Sequence, residues 1–204
     1  MKDKKTTLII TLCVIILFLC FYLANKITEM KHTQNSLSEF TVNTQMKEDF
    51  YYINFDINNK MTGKIAPSIA CVEPNKGEFL LSELVKNKPV LIYRYTNKNC
   101  DPCYVAELKL FHKEFSDYDL VRVLCSYFTE NEFVTSKRIN KIKFPIYSIF
   151  FDAFDWKVEE YNSSYYFVLH PNMQISHIYI PNREYPELSK QYLEGVKRFL
   201  SELK

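Results

Sequence analysis

The feature that most constrains this chain is a pair of cysteines, Cys100 and Cys103, placed where an apolar run gives way to a helical one. Val90 to Tyr95 predicts a largely buried strand, and Thr96 to Asn99 forms a short link. Asp101 to Phe115 then predicts a helix with Val105, Leu108, Phe111, His112 and Phe115 along one side. Two intervening residues bring the sulfurs close enough for a disulfide as the helix starts. Cys100 falls near the helix N-terminus, where unsatisfied N–H groups and the macrodipole favour a thiolate. Pro102 stands where its missing N–H costs nothing. A thiolate at Cys100 could attack a disulfide, and Cys103 would resolve the mixed disulfide. The Asp101 carboxylate opposes that thiolate and Lys98 favours it.

The rest of the chain alternates in the same manner. Leu120 to Phe128 reads as a strand, Thr129 to Glu132 as a capping box opening a helix, and Ile146 to Phe151 as a further strand. Tyr165 to Leu169, a turn at Pro171 and Asn172, and Gln174 to Ile180 read as a hairpin, and Leu188 to Leu203 as a closing amphipathic helix. The order predicts an α/β sandwich. Composition narrows the function classes. Net charge is +2, with no long basic run, which argues against nucleic-acid binding. With 3 Gly, neither a G-x-G-x-x-G nor a Walker loop can be written, and no nucleotide cofactor is expected.

The amino terminus sets the compartment. Lys2, Lys4 and Lys5 precede a run from Thr6 to Leu23 that holds no charged residue. At about 1.5 Å per residue this nearly matches a hydrocarbon core of roughly 30 Å. Phe21-Tyr22-Leu23-Ala24 lacks the small residues of a signal-peptidase site, and Leu19 is large for a lipoprotein site at Cys20. The expectation is one transmembrane signal anchor over residues 1–24. The bias of lysines places the N-terminus in the cytoplasm and the bulk of the chain on the extracytoplasmic, periplasmic side, where cysteines meet an oxidising environment. Residues 25–60 are polar, with Ile27, Met30, Leu37 and Phe40 at helical spacing, and read as a membrane-proximal helix or stalk. Residues 61–204 read as the folded domain.

A family resemblance rests on particular residues. Gly63 to Pro67, Gly77 to Leu84, Lys88 to Tyr93 and the Cys100–Cys103 motif together resemble the TlpA/ResA-type branch of the thioredoxin superfamily, which shares its profile with the AhpC/TSA group. The resemblance spans Thr62 to Lys204. It implies a thioredoxin-like fold, a central mixed sheet flanked by helices with an N-terminal β-hairpin extension. It implies membrane-tethered disulfide exchange with protein disulfide or dithiol substrates, an unspecified electron donor, and Cys100 and Cys103 as the redox pair. It also implies a supporting buried carboxylate, for which Glu107 is the candidate. Asn99 stands where the family has tryptophan, and Ser164 stands at the position of its cis-proline. Tyr161, Tyr165 and Tyr166 are candidates to line that side.

Other readings compete for the same residues. Zinc needs about four ligands, usually as a second pair at matching spacing, and neither Cys71, Cys125 nor any histidine pattern supplies one, so no metal is expected. A thiol peroxidase of the AhpC/TSA type would want a Pro-x-x-x-Thr arrangement before the cysteine, which Thr96 to Cys100 lacks. A third reading is a non-enzymatic binding module using a thioredoxin-like fold, which Ser164 favours and the intact cysteine pair disfavours. Cys71 and Cys125 read as buried thiols, Cys13 and Cys20 as apolar members of the span, and His112 as a helix-face residue.

Overall fold

The computed structural model describes residues 2–73, 76–96, 98–99, 101–115, 118–127 and 129–203, without the side chains of 2–15, 101–102 and 118. Helix α1 (Lys2–Met61) opens the chain. Among the described residues seven strands follow: β1 (Ala70–Glu73), β2 (Gly77–Leu80), β3 (Val90–Thr96), β4 (Val121–Ser126), β5 (Ile146–Ser148), β6 (Tyr165–Leu169) and β7 (Ile175–Tyr179). Three further helices, α2 (Asp101–Glu114), α3 (Glu130–Ile139) and α4 (Pro186–Glu202), connect or close them.

Contacts divide the chain into two compact units, 1–52 and 53–204. The first consists of α1 residues, and every described side chain from Ile16 to Tyr52 except Lys47 and Phe50 is exposed within it. Among the described residues no helix is long and apolar enough to cross a membrane. The side chains of the first part of the apolar run, Cys13 included, lie outside the described residues.

In the second unit the seven strands form one mixed sheet in the order β2-β1-β5-β4-β3-β6-β7. Strands β3, β4 and β5 are parallel, joined by crossovers through α2 and α3. The β6–β7 hairpin adds antiparallel to β3, and the β1–β2 hairpin adds antiparallel to β5 through Val72 and Ser148. The mixed sheet with helices and an N-terminal hairpin therefore matches the expected architecture. β3 is central, and all seven of its residues are buried. This explains why it reads as a continuous apolar run rather than an alternation.

Alternation along β3 still decides what faces what. Tyr93 and Tyr95 point to the side of α2, where Tyr95 stacks on Tyr104 at 4.5 Å and Tyr93 lies 6.1 Å from Phe111. Ile92 points to the other side, into a core with Leu124, Phe154, Trp156 and Phe167. That core also contains Ile57 and Met61, each 1% exposed, from the last turns of α1. Asn54 joins them there, accepting a hydrogen bond from the Ile180 N–H at 2.7 Å. Residues 53–60, read from sequence as stalk, thus bury apolar and polar groups against β7 and its exit. Gly63 lets the chain turn out of α1: at φ +86° it sits where a side chain would be strained, and its N–H bonds the Ile175 carbonyl at 2.8 Å.

The capping box of α3 forms as expected, with the Thr129 Oγ1 accepting from the Glu132 N–H and the Thr129 N–H donating to Glu132 Oε2, both at 3.2 Å. Strand β5 is shorter than expected. After Ser148 the chain bends away, and the Ser126 hydroxyl donates to the Ile149 carbonyl at 2.7 Å.

Candidate functional site

The site grows from the C-terminal end of β3. Asn99 closes the link beyond that strand: its Oδ1 accepts from the Thr96 N–H at 2.7 Å and its N–H donates to the Thr96 carbonyl at 3.1 Å. The Lys98 N–H donates to the Thr96 hydroxyl at 3.2 Å, and the Lys98 ammonium sits 4.7 Å above the Phe151 ring. Two residues after Asn99, α2 begins. Cys103, in its first turn, is half-buried and disulfide-bonded. Cys20, Cys71 and Cys125 are free. Cys100, and the side chains of Asp101 and Pro102, lie outside the described residues.

Glu107 is one turn further along α2 and faces inward, 6% exposed. Its Oε2 accepts from the Tyr166 hydroxyl at 2.9 Å and its Oε1 from the Ser189 hydroxyl at 3.1 Å, which ties α2 to β6 and α4. Burial raises its pKa above the ordinary carboxyl value, and the two donated hydrogen bonds offset part of that rise. Beside it the Tyr93 hydroxyl is fully buried and next to Ser164. Tyr93 stacks on Tyr166 at 4.6 Å, and Tyr166 lies 5.5 Å from Tyr192, which stacks on Tyr179 at 4.5 Å. Glu107 therefore sits in an aromatic wall that keeps water from it.

Two of the free thiols, Cys125 and Cys71, are placed for inertness. Cys125 is fully buried in β4, and burial pushes its thiol far above the ordinary range. Cys71 in β1 is pushed up to about 12, by burial first and by the Glu83 carboxylate second. A thiol held protonated is a poor nucleophile.

No family model matches the sequence, and no curated protein matches it. Solved structures do. A thiol:disulfide interchange protein from Bacteroides sp. superposes with a TM-score of 0.54 at 16% identity, covering 69% of this chain and 90% of its own. A putative protein disulfide isomerase from Bacteroides thetaiotaomicron gives 0.52 at 15%, with the same 69% and 90% coverage. The thioredoxin domain of a thiol-disulfide oxidoreductase from Bacteroides vulgatus gives 0.51 at 17%, covering 68% of this chain and 97% of its own. The fold is thioredoxin-like.

Within this thioredoxin-like domain the expected residues distribute unevenly. Cys103 stands at the first turn of the helix that follows the central strand, as expected from the motif. Glu107 is buried and hydrogen-bonded. Ser164, just before β6, is buried at 6% exposure, and among the described residues no peptide bond is cis. The three tyrosines do not share a surface: Tyr165 and Tyr166 are fully buried on opposite faces of β6, and Tyr161 is exposed. Strand alternation separates neighbours that look like a cluster in sequence. His112 turns outward, its ring centre 5.4 Å from that of Phe144, while Tyr104 and Glu107 take the inner positions.

Arg94 and Glu159 escaped the sequence reading. Arg94, in the middle of the apolar strand, is 1% exposed and pairs its Nε with Glu159 Oε1 at 3.2 Å while its Nη1 donates to the Tyr95 carbonyl at 2.8 Å. The Tyr165 hydroxyl donates to the same Glu159 oxygen at 2.8 Å. A charge inside an otherwise apolar strand was the available signal, because such a charge needs a partner.

Proposed function

We propose that the chain is a membrane-anchored thiol–disulfide oxidoreductase whose domain works outside the cytoplasm, with Cys100 and Cys103 as its reversible dithiol. One observation carries the reading: Cys103 is disulfide-bonded and half-exposed at the first turn of the helix that leaves the central strand. The proteins of similar fold named above include a thiol:disulfide interchange protein and a thiol-disulfide oxidoreductase, which supports the same chemistry.

In the reducing direction the Cys100 thiolate attacks one sulfur of a substrate protein's disulfide. A mixed disulfide forms and the other substrate sulfur leaves as a thiolate. Cys103 loses its proton and attacks Cys100, which releases the second substrate thiolate and leaves the Cys100–Cys103 disulfide. Two electrons have passed to the substrate, and an external dithiol donor must restore them. Glu107 is the group we assign to exchange a proton with the Cys103 thiol. It lies one helical turn on, and burial lets it hold a proton to higher pH than an exposed carboxyl. Ser164, beside the Tyr93 hydroxyl, is a supporting residue of this site. The apolar run Thr6 to Leu23, behind three lysines, supports the anchor and its orientation.

An equilibrium titration of the full chain against a glutathione series tests the reading. It predicts one reversible two-electron transition of the Cys103 disulfide. A potential below about −230 mV favours reductase work and one near −120 mV oxidase work. A disulfide that does not equilibrate with any glutathione ratio before the protein unfolds contradicts it.

A further inference from the structure

The side chain of Asn99 acts in two directions. Its Oδ1 belongs to the link after β3, whereas its Nδ2 donates to the Asn162 carbonyl at 2.9 Å. Asn162 ends the 3-10 turn Lys157–Tyr161 in the left-handed region, φ +50°, and leads directly into Ser163 and Ser164. The same turn is held from the other side, because Glu159 receives both Arg94 and the Tyr165 hydroxyl. The end of β3 thus holds the turn through the Arg94–Glu159 pair and the segment 162–164 that follows it through Asn99.

We propose that Asn99 is a positioning residue for disulfide exchange, fixing segment 162–164 against the residue that precedes the Cys100–Cys103 motif so that a protein substrate meets a preformed surface. The assignment rests on the exchange reading above. Asn99 immediately precedes Cys100 in the sequence, and its Nδ2 holds the Asn162 carbonyl at 2.9 Å, so the segment it tethers adjoins the start of the motif. An untethered segment has to be ordered at each encounter, which weakens association without altering the sulfur chemistry. The tether therefore acts on KM for protein disulfides and leaves the reaction of the dithiol with a small thiol alone.

Asn99→Ser separates the two bonds: its hydroxyl can still accept from the Thr96 N–H, but it cannot reach Asn162. With the full chain and a protein disulfide substrate, KM is expected to rise about fivefold, the scale of one net hydrogen bond, with kcat unchanged. The rate at which dithiothreitol reduces the Cys103 disulfide, and its potential, stay at the wild-type values. Asn99→Ala, which loses both bonds, gives the same KM and in addition a shifted potential. Equal losses with dithiothreitol and with protein substrate in Asn99→Ser, or no change in KM, overturn the assignment while leaving the exchange reading standing. A wild-type chain that exchanges with neither overturns both.

Discussion

Glu107 shows how a single side chain can cost stability and still be held in place. Its carboxylate is removed from water on α2 and accepts from Tyr166 and Ser189, yet burial outweighs those bonds and raises its pKa. The folded state therefore binds this proton more tightly than the unfolded chain, whose glutamates titrate near about 4.3. From that value up to the raised folded one, the unfolded state has lost the proton and the folded state has kept it. Stability falls as pH rises through this window and is level above it. Glu107→Gln removes the titration while keeping an acceptor and the side-chain shape. Urea midpoints measured across pH 4 to 8 should show the wild type losing stability relative to the variant through the window and then running parallel to it. Curves parallel at every pH would contradict the assignment of the raised proton affinity to Glu107. The sequence marked Glu107 only by its spacing from Cys103. Its burial depends on Tyr166 and Ser189, which are distant in sequence, so no local pattern could disclose it.

Among the elements, the strand–helix alternation was legible because hydrophobic period and capping are local properties. β3, α2, the α3 capping box and the β6–β7 hairpin all appear close to where their patterns place them. What was not legible depended on partners far along the chain. The 3-10 turn Lys157–Tyr161 has no strong signal of its own, and it is secured by Glu159 against Arg94. Tyr161, Tyr165 and Tyr166 looked like one aromatic patch, but β6 sends two of them to opposite faces. Glu159→Ala tests the turn's anchorage, since it leaves the Arg94 guanidinium buried without its counter-charge. Removing one member of a buried pair costs about 3 kcal/mol, somewhat less here because Glu159 is partly exposed. Chemical denaturation should report a loss of that order. A loss under about 0.5 kcal/mol, typical of a surface pair, would show that the pair does not hold the turn.

At the scale of the molecule, the domain reaches back into the helix that precedes it. Ile57 and Met61 are each 1% exposed in the core, and burying such a side chain stabilises by about 1.5–3 kcal/mol. A chain shortened to begin at Thr62 is expected to melt far below one beginning at Glu48, or not to fold. Equal melting temperatures would show that the last turns of α1 are dispensable. If residues 1–24 form the proposed anchor, the full chain stays with membranes after alkaline carbonate washing and removal of residues 1–24 releases it. Retention of the shortened chain would contradict that role for the apolar run. The most direct measurement concerns the cysteines. A Cys103→Ser chain cannot resolve a mixed disulfide, so incubation with an oxidised protein substrate should accumulate an adduct whose mass is the sum of the two and whose linkage maps to Cys100. Absence of that adduct, or its linkage to Cys71 or Cys125 instead, would contradict exchange chemistry at this site.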